Sequence, residues 1–284
     1  MKVFVTGAGG QVGHEVAARF SLQERHTVVA ADHAALDIGD RDAVMQAITA
    51  TQPDIVVHCA AWTAVDACES DPDRAFLVNA LGTRHVAEAA RRAGAHVITI
   101  STDYVFDGEQ PEPYVEWDPP NPQSVYGRSK LGGELEAAAL GADATLLRIS
   151  WVCGAYGSNM VKTILRLAGE HDTLSFVDDQ RGHPTFADDV AVMIERLAVE
   201  RRPGVFHVTN QGAVSWYEFA CEVLRAAGLD AARVRPITTA ELSPPRPAPR
   251  PKNSVLDNAA LRLGGIPLLP DFREPLTRLV KQLA

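Results

Sequence analysis

The chain has 284 residues, 46% of them hydrophobic and 22% charged, with a net charge of -9. That is enough length and apolar content for a substantial core in one large or two interleaved domains, and it excludes a mainly disordered chain. The acidic balance gives no general attraction to nucleic acid or an anionic membrane, while leaving room for a local basic pocket that takes a phosphorylated substrate.

The amino terminus, Met1 to Thr6, is an apolar, β-rich run, and no apolar run in the chain approaches the roughly 20 residues needed to span a bilayer. A strand at that position lacks the charged-then-apolar pattern of a signal peptide, so the expectation is a cytoplasmic protein. Cys59, Cys68, Cys153 and Cys221 are scattered without Cys-x-x-Cys pairing and read as reduced packing residues rather than a disulfide framework or zinc site.

After that first strand the chain turns through Gly7-Ala8-Gly9-Gly10-Gln11-Val12-Gly13 into a helical pattern. Gly7, Gly10 and Gly13 form a Gly-x-x-Gly-x-x-Gly variant of the dinucleotide fingerprint. Its glycines permit a tight turn, close approach of backbone to a pyrophosphate, and close packing of helix on strand. The helix start then offers free N–H groups and a positive dipole end to phosphates. A second apolar run, Thr27 to Ala31, ends at Asp32, which is either an acceptor for ribose hydroxyls or simply the first polar residue after a strand.

Further short apolar runs at 54–58, 97–100 and 145–149 read as buried strands, and helical patterns lie at about 41–50, 73–93 and 124–140. This alternation predicts an α/β fold, a Rossmann-like doubly wound parallel sheet with ligands at the carboxyl ends of the strands. Cys59-Ala60-Ala61-Trp62 and Ser101-Thr102-Asp103-Tyr104 fall at such ends. Beyond residue 150 the pattern is less regular, with strands predicted at 174–177 and 205–208 and helices near 187–199 and 215–227. The division expected is a dinucleotide-binding part over 1–150 and a smaller, interleaved α/β substrate-binding part over 151–284, with some segments returning to the first.

Tyr126 and Lys130 stand four residues apart on one predicted helix, which puts phenol and ammonium on one face. Either they are an ordinary helical pair, or the cation lowers the phenol pKa and the two exchange a proton with a carbonyl or alcohol oxygen. Ser243 to Pro251 is proline-rich and basic. It reads as a semi-rigid connector or as a lid edge whose Arg246 or Arg250 faces substrate phosphates.

Together these residues resemble the extended short-chain dehydrogenase/reductase superfamily, through Gly7, Gly10, Gly13, Asn79 to Thr83, Thr102, Tyr126 and Lys130. Within it the chain is similar to the dTDP-4-dehydrorhamnose reductase family. That likeness rests on the stretches 10–13, Thr63 to Asp66, Ser101 to Gly108, Ser150 to Val152, Asp179 to Thr185 and Arg250 to Ser254, in the same order and over nearly the whole chain.

The resemblance implies reduction of the C4 ketone of a dTDP-linked 4-keto-6-deoxyhexose by NADPH or NADH, completing dTDP-L-rhamnose. It implies Tyr126 as proton donor, Lys130 as the cation beside it and on the ribose hydroxyls, and Thr102 as a hydrogen-bond donor to the ketone oxygen. For the cofactor it implies Gly7, Gly10, Gln11, Val12, Asp32, Asp37, Ile38, Ala60, Ala61, Thr63 and Asn79, with Tyr126 and Lys130. For the sugar nucleotide it implies Val65, Asp66, Thr102, Asp103, Tyr126, Trp151, Arg250 and Asn253. Residue chemistry leaves bland alternatives: Thr102 as a strand-end hydroxyl satisfying backbone, Asp103 as a turn cap, Trp151 as core.

Related sugar-nucleotide 4,6-dehydratases carry Asp-Glu after the threonine, whereas here Asp103 is followed by Tyr104, which disfavours dehydration. Asp32 argues for NADH, with His33 or Arg41 able to offset its charge. Cys153 stands where relatives carry a tyrosine, so another dTDP-4-keto sugar is an alternative substrate. A non-catalytic subunit like the regulatory subunit of methionine adenosyltransferase is the other alternative, and the intact Thr102, Tyr126 and Lys130 count against it. Some relatives dimerise through magnesium. Glu15 and Asp188 match two of the ligands, but Arg273, beside Glu274, falls at the third position, so no metal is assigned and both acids read as surface carboxylates. The expected state is monomer or homodimer.

Overall fold

The computed structural model describes residues 1–141 and 143–283. Its centre is a parallel sheet of six strands: β1 (Lys2–Thr6), β2 (Thr27–Ala31), β3 (Ile55–His58), β4 (His96–Thr102), β5 (Ala144–Ile149) and β6 (Gly204–His207), in the spatial order β2-β1-β3-β4-β5-β6. Strand side chains alternate between faces. Val3 and Val5 therefore join Ile55, Val57, Ile98 and Leu147 in one apolar layer, while Phe4, Val56 and Val97 join the opposite one.

The first layer is closed by α1 (Gln11–Ser21), through Val12, Val16 and Phe20, and by a later helix, Ala187–Val199, through Val190, Ile194 and Leu197. The second is closed by α2 (Arg41–Thr51), through Val44 and Ile48, and by α3 (Gly82–Ala93), through Val86, Ala89 and Ala90. Each such aliphatic side chain, once buried, stabilises the fold by roughly 1.5–3 kcal/mol. The structure is an α/β Rossmann-like fold. The chain leaves β1 toward β2 and then crosses back to β3, so the strand order reverses beside β1, where such sheets open a ligand crevice.

A second core lies over the carboxyl ends of the strands. It packs α5 (Met160–Glu170), α7 (Trp216–Ala226) and α8 (Arg273–Leu283) around Phe186, Phe219 and Phe272; the Ala187–Val199 helix is α6. The segment Leu174–Val177 pairs in parallel with Val234–Ile237 beside this core rather than with the central sheet. At α7 a capping box fixes the start: Ser215 Oγ accepts from the Glu218 N–H, and the Glu218 carboxylate accepts from the Ser215 N–H.

The helix predicted over 73–93 is interrupted. It runs as Pro72–Phe76, a wide π turn at Leu77–Leu81, and α3. The cause is Asn79, whose Oδ1 accepts from the Trp62 N–H at 2.8 Å and whose Nδ2 donates to the Trp62 carbonyl at 3.1 Å, so one residue of the helix is committed to bracing the loop after β3. The helix predicted over 124–140 forms as α4 (Val125–Ala139), with Ser124 Oγ capping the Gly127 N–H at 3.0 Å.

Candidate active site

The loops that follow β1, β3 and β4 enclose, with α4, a cavity of about 390 Å3. Gln11, Val12, Ala61, Thr63, Val65, Thr102, Asp103, Tyr126, Lys130 and Trp151 all line it. Residues as distant in sequence as Gly10 and Trp216 meet there because each ends an element of the same sheet or caps the same crevice.

At the β1 end the backbone itself shapes the site. Gly7 has φ of +66°, and a Cβ on it would stand 2.6 Å from the Ala60 nitrogen; a Cβ on Gly13 would stand 2.2 Å from the Gly7 carbonyl oxygen. No side chain could occupy either position without displacing backbone, so β1, β3 and α1 approach as closely as glycine allows. The start of α1, at Gly10, has no side-chain cap, which leaves the N–H groups of its first turn to a ligand. An uncapped helix start behind a glycine turn fits a pyrophosphate, and by that observation the residues fit a dinucleotide.

Other residues assigned to the cofactor stand back from the cavity. Asp32 lies beside the turn, its Cβ 3.4 Å from where a Gly9 side chain would begin, and its Oδ1 accepts from the Ala35 N–H. Asp37 accepts from the Gly39 N–H, and buried Ile38 packs against Gly82 while its carbonyl accepts from His85. Ala60 lies under Gly7, and Asn79 braces Trp62 and Ser129. Asn79 and Ile38, both assigned to the cofactor, thus also make supporting contacts within the fold.

Thr102 ends β4. Its Oγ1 donates to Asp103 Oδ1 at 2.9 Å and accepts from the Tyr104 N–H at 3.2 Å, and Thr102 lines the cavity together with Tyr126. Tyr126 and Lys130 share one face of α4, as their spacing requires, and both are buried. The expected lowering of the phenol pKa does not occur in this arrangement. Burial pushes Tyr126 well above the ordinary tyrosine value, because a phenolate there loses its water and Lys130 directs its ammonium elsewhere, donating to the Ile100 carbonyl at 2.6 Å. Burial also lowers Lys130, to about 8.

At the substrate end Val65 lines the cavity, but Asp66 and Arg250 are engaged with each other. Arg250 Nη1 and Nη2 donate to Asp66 Oδ1 and Oδ2 at 2.5 and 2.8 Å, and the Ala248 N–H adds a third bond at 3.1 Å. Asn253 is likewise occupied, donating to the Gln110 carbonyl at 2.8 Å. Arg250 instead borders a neighbouring cavity of about 250 Å3 with Tyr104 and Asp107.

Trp151 has φ of +43° and stacks on Trp216, with ring centroids 3.6 Å apart and an interplanar angle of 8°. A Cβ on Gly182 would come within 2.6 Å of the Trp151 ring. Trp216, Tyr104 and Ser150 line the cavity without having been singled out from sequence as site residues. The signal for Trp216 was present in its place directly after the helix cap Ser215, but which face of α7 meets the site depends on packing. Cys153 is buried, its thiol donating to the Trp151 carbonyl at 3.5 Å, and it stands outside the cavity lining.

Glu15 and Asp188 do converge, at a separate cavity that also holds Arg278. Arg278 Nη2 donates to both Asp188 and Asp189 at 2.7 Å, so a guanidinium fills the place a metal would take and the cluster does not fit magnesium. Arg273, expected at this cluster, pairs with Asp271. Among the described residues no group of three or more His, Cys, Asp or Glu side chains could hold a metal ion, and no helix is long and apolar enough to cross a membrane.

Comparison with known proteins agrees with this geometry. A dTDP-4-dehydrorhamnose reductase of Streptomyces griseus is 41% identical over 281 residues, covering 96% of this chain and 91% of the relative. A Streptomyces antibioticus protein named "Probable dTDP-4,6-dihydroxy-2-methyloxan-3-one 4-ketoreductase" is 41% identical over 280 residues, covering 97% and 93%. The crystal structure of dTDP-4-dehydrorhamnose reductase from Bacillus anthracis in complex with NADP superposes with a TM-score of 0.95 at 39% identity, covering 99% of each chain. The family model described as RmlD substrate binding domain matches residues 1–284, and the chain belongs to that family, the family of the dTDP-4-dehydrorhamnose reductases.

Proposed function

We propose that this protein is a dTDP-4-dehydrorhamnose reductase, reducing the C4 ketone of dTDP-4-dehydro-L-rhamnose with NADPH or NADH to give dTDP-L-rhamnose. The observation that carries the reading is the convergence of Thr102, Tyr126 and Lys130 on one cavity that opens at an uncapped, glycine-lined helix start.

A nicotinamide cofactor supplies the hydride when bound. The chain's own residues handle position and proton. Gly7, Gly10, Gly13, Gln11 and Val12 present backbone to the pyrophosphate, and Ala61 and Thr63 line the cavity beside it. Tyr126 holds its proton at neutral pH, since burial raises its pKa, and gives that proton to the substrate oxygen as negative charge gathers there. Thr102 donates a hydrogen bond to the same oxygen, a contribution of the oxyanion-stabilising kind. Lys130, at about 8, keeps its ammonium at neutral pH and lines the cavity beside the proton donor while donating to the Ile100 carbonyl. Trp151 and Val65 form walls for the sugar, and Arg250, across from Asp66, serves the nucleotide end.

Both nicotinamide dinucleotides enter this reading. Asp32 suits the ribose hydroxyls of NADH, and Arg41, the arginine near enough in sequence to offset its charge toward a 2′-phosphate, is paired with Glu88 at 2.7 Å. The test is purified protein with dTDP-4-dehydro-L-rhamnose and each cofactor in turn, following nicotinamide absorbance and the product sugar. Oxidation coupled to dTDP-L-rhamnose, lost in Tyr126→Phe, supports the assignment, and tight cofactor binding without turnover on this sugar overturns it.

A second reading, reduction of a different dTDP-4-keto-6-deoxyhexose, is favoured by the equal identity to the Streptomyces antibioticus protein. Product analysis with alternative keto sugars separates the two. The complete Thr102, Tyr126 and Lys130 set weighs against a purely regulatory subunit.

A further inference from the structure

One turn beyond Lys130 on α4 stands a second buried charged residue, Glu134, four positions on and therefore on the same face. The two meet consecutive residues of β4: the Lys130 ammonium donates to the Ile100 carbonyl at 2.6 Å, and the Ser101 hydroxyl donates to Glu134 Oε1. Arg148, the register partner of Ser101 on β5, donates from Nε to Glu134 Oε1 at 2.9 Å and from Nη2 to Oε2 at 2.7 Å. Glu134 is 7% exposed and Arg148 4%, so this pair joins α4, β4 and β5 through the interior of the fold. A planar, two-bonded pair of this kind fixes orientation as well as distance.

Lys130 reaches its place on a flexible four-carbon stem, so where its ammonium rests depends on how α4 lies over β4. Two contacts settle that arrangement. A Cβ on Gly133 would stand 2.4 Å from the Asn79 carbonyl oxygen, so α4 presses directly on the π turn. The second contact is Glu134, tied to β4 by Ser101 and to β5 by Arg148. The groups around Lys130 are Tyr126 and Glu134 on its own helix and His58 and Cys59 at the end of β3. Burial keeps Tyr126 and Cys59 protonated and His58 unprotonated, so those three are uncharged at neutral pH. Burial alone also favours loss of the Lys130 proton, and the charge that opposes this loss is the Glu134 carboxylate.

We propose that Glu134, held by Ser101 and Arg148, is a positioning residue for the reduction: acting through Lys130, it fixes the ammonium on the Ile100 carbonyl and supplies the opposite charge that keeps it protonated. The proposal rests on the ketone-reductase reading. Glu134 stands outside the lining of the cavity that holds Thr102, Tyr126 and Lys130, so its effect reaches the reaction through Lys130. Arg148 acts one step further back. It orients the carboxylate from β5 and is itself steadied by the Phe106 ring, 5.1 Å from its guanidinium carbon.

The lysines of this chain are Lys2, Lys130, Lys162, Lys252 and Lys281, so NMR of protein carrying isotope-labelled lysine identifies Lys130 by the signal missing from Lys130→Met. In the wild type that signal is expected to titrate at about 8. Glu134→Gln keeps the shape of the side chain and removes its charge, and the Lys130 titration is then expected about one pH unit lower. The alkaline fall of kcat should move down with it, while KM for the keto sugar stays close to that of the wild type. A titration that does not move, with kcat reduced equally at every pH, assigns Glu134 to structure alone and overturns the proposal. If Glu134→Gln does not fold because Arg148 is left buried and unpaired, the double variant Glu134→Gln/Arg148→Met decides: a lowered Lys130 titration supports the proposal, and an unmoved or raised one overturns it. A wild type that reduces no keto sugar overturns the reductase reading instead, and the Lys130 titration then still decides whether Glu134 holds the ammonium.

Discussion

Arg250 grips Asp66 with both terminal nitrogens of its guanidinium, at 2.5 and 2.8 Å, and so ties the proline-rich 243–251 segment to the helix that starts at Val65. Such a planar, two-bonded pair is both an anchor and a charge-neutral resting place for an arginine assigned to a nucleotide.

Arg250→Met should therefore lower thermal stability and weaken sugar-nucleotide binding together. The pair is partly buried, with side-chain exposures of 17% and 29%, so the stability loss is expected at about 1–3 kcal/mol, between exposed and fully buried pairs. Arg250 holds the Asp66 carboxyl below its ordinary range. The stabilisation is thus present above the unfolded pKa and is lost as pH falls through the lower folded value. Melting curves of wild type and variant should converge on acidification, and KM should rise more than kcat falls.

Lys130 carries an alkaline signature. Burial lowers its pKa to about 8, so the unfolded chain binds more protons than the native one between that value and the ordinary lysine range. Stability should rise with pH across this window relative to Lys130→Met, because the variant has no buried ammonium to desolvate. Activity should do the opposite in the wild type, falling as the ammonium is lost above about 8. Paired pH series of melting temperature and kcat check both signs.

Gly13→Ala tests the close approach at the glycine turn. A Cβ there meets the Gly7 carbonyl oxygen at 2.2 Å, and backbone cannot yield as a flexible side chain would. A destabilisation of about 1–3 kcal/mol is expected, with cofactor affinity reduced more than stability alone explains, measured by denaturant unfolding and by quenching of protein fluorescence with NADH.

Trp216→Leu should loosen the Trp151 wall. The stack, at 3.6 Å and 8°, contributes about 0.5–1.5 kcal/mol beyond its buried area. The near-ultraviolet circular dichroism of the coupled indoles should collapse, KM for the keto sugar should rise, and Trp216→Phe should recover most of the KM without restoring the coupled-indole signal. An unchanged KM would show that this wall does not meet the substrate.

How much of the site was legible follows from how local each signal is. The glycine turn, the Tyr126 and Lys130 spacing, and Thr102 at a strand end are set by neighbours within a few residues, and they do converge on the cavity. The direction of the Tyr126 pKa was not legible, because a four-residue spacing shows that two side chains share a face but not that Lys130 turns to Ile100. The bracing of Trp62 by the Asn79 amide was not legible either, because only the packed loop creates that contact. Trp216 was passed over because its role exists only against Trp151, 65 residues away by number.

By itself the sequence determined the parallel α/β architecture, since buried strand runs, helical periods and glycine turns are encoded over spans of about ten residues. It also determined the chemistry on offer, a phenol, an ammonium and a hydroxyl at the carboxyl ends of strands. Tertiary structure alone decided which groups are free to act. It closed Arg250 on Asp66, placed Arg278 among the acids at Asp188, and left one oxygen of Asp103 without a partner inside the cavity. Those outcomes depend on desolvation and on contacts between distant segments, and both come into being only when the chain has packed.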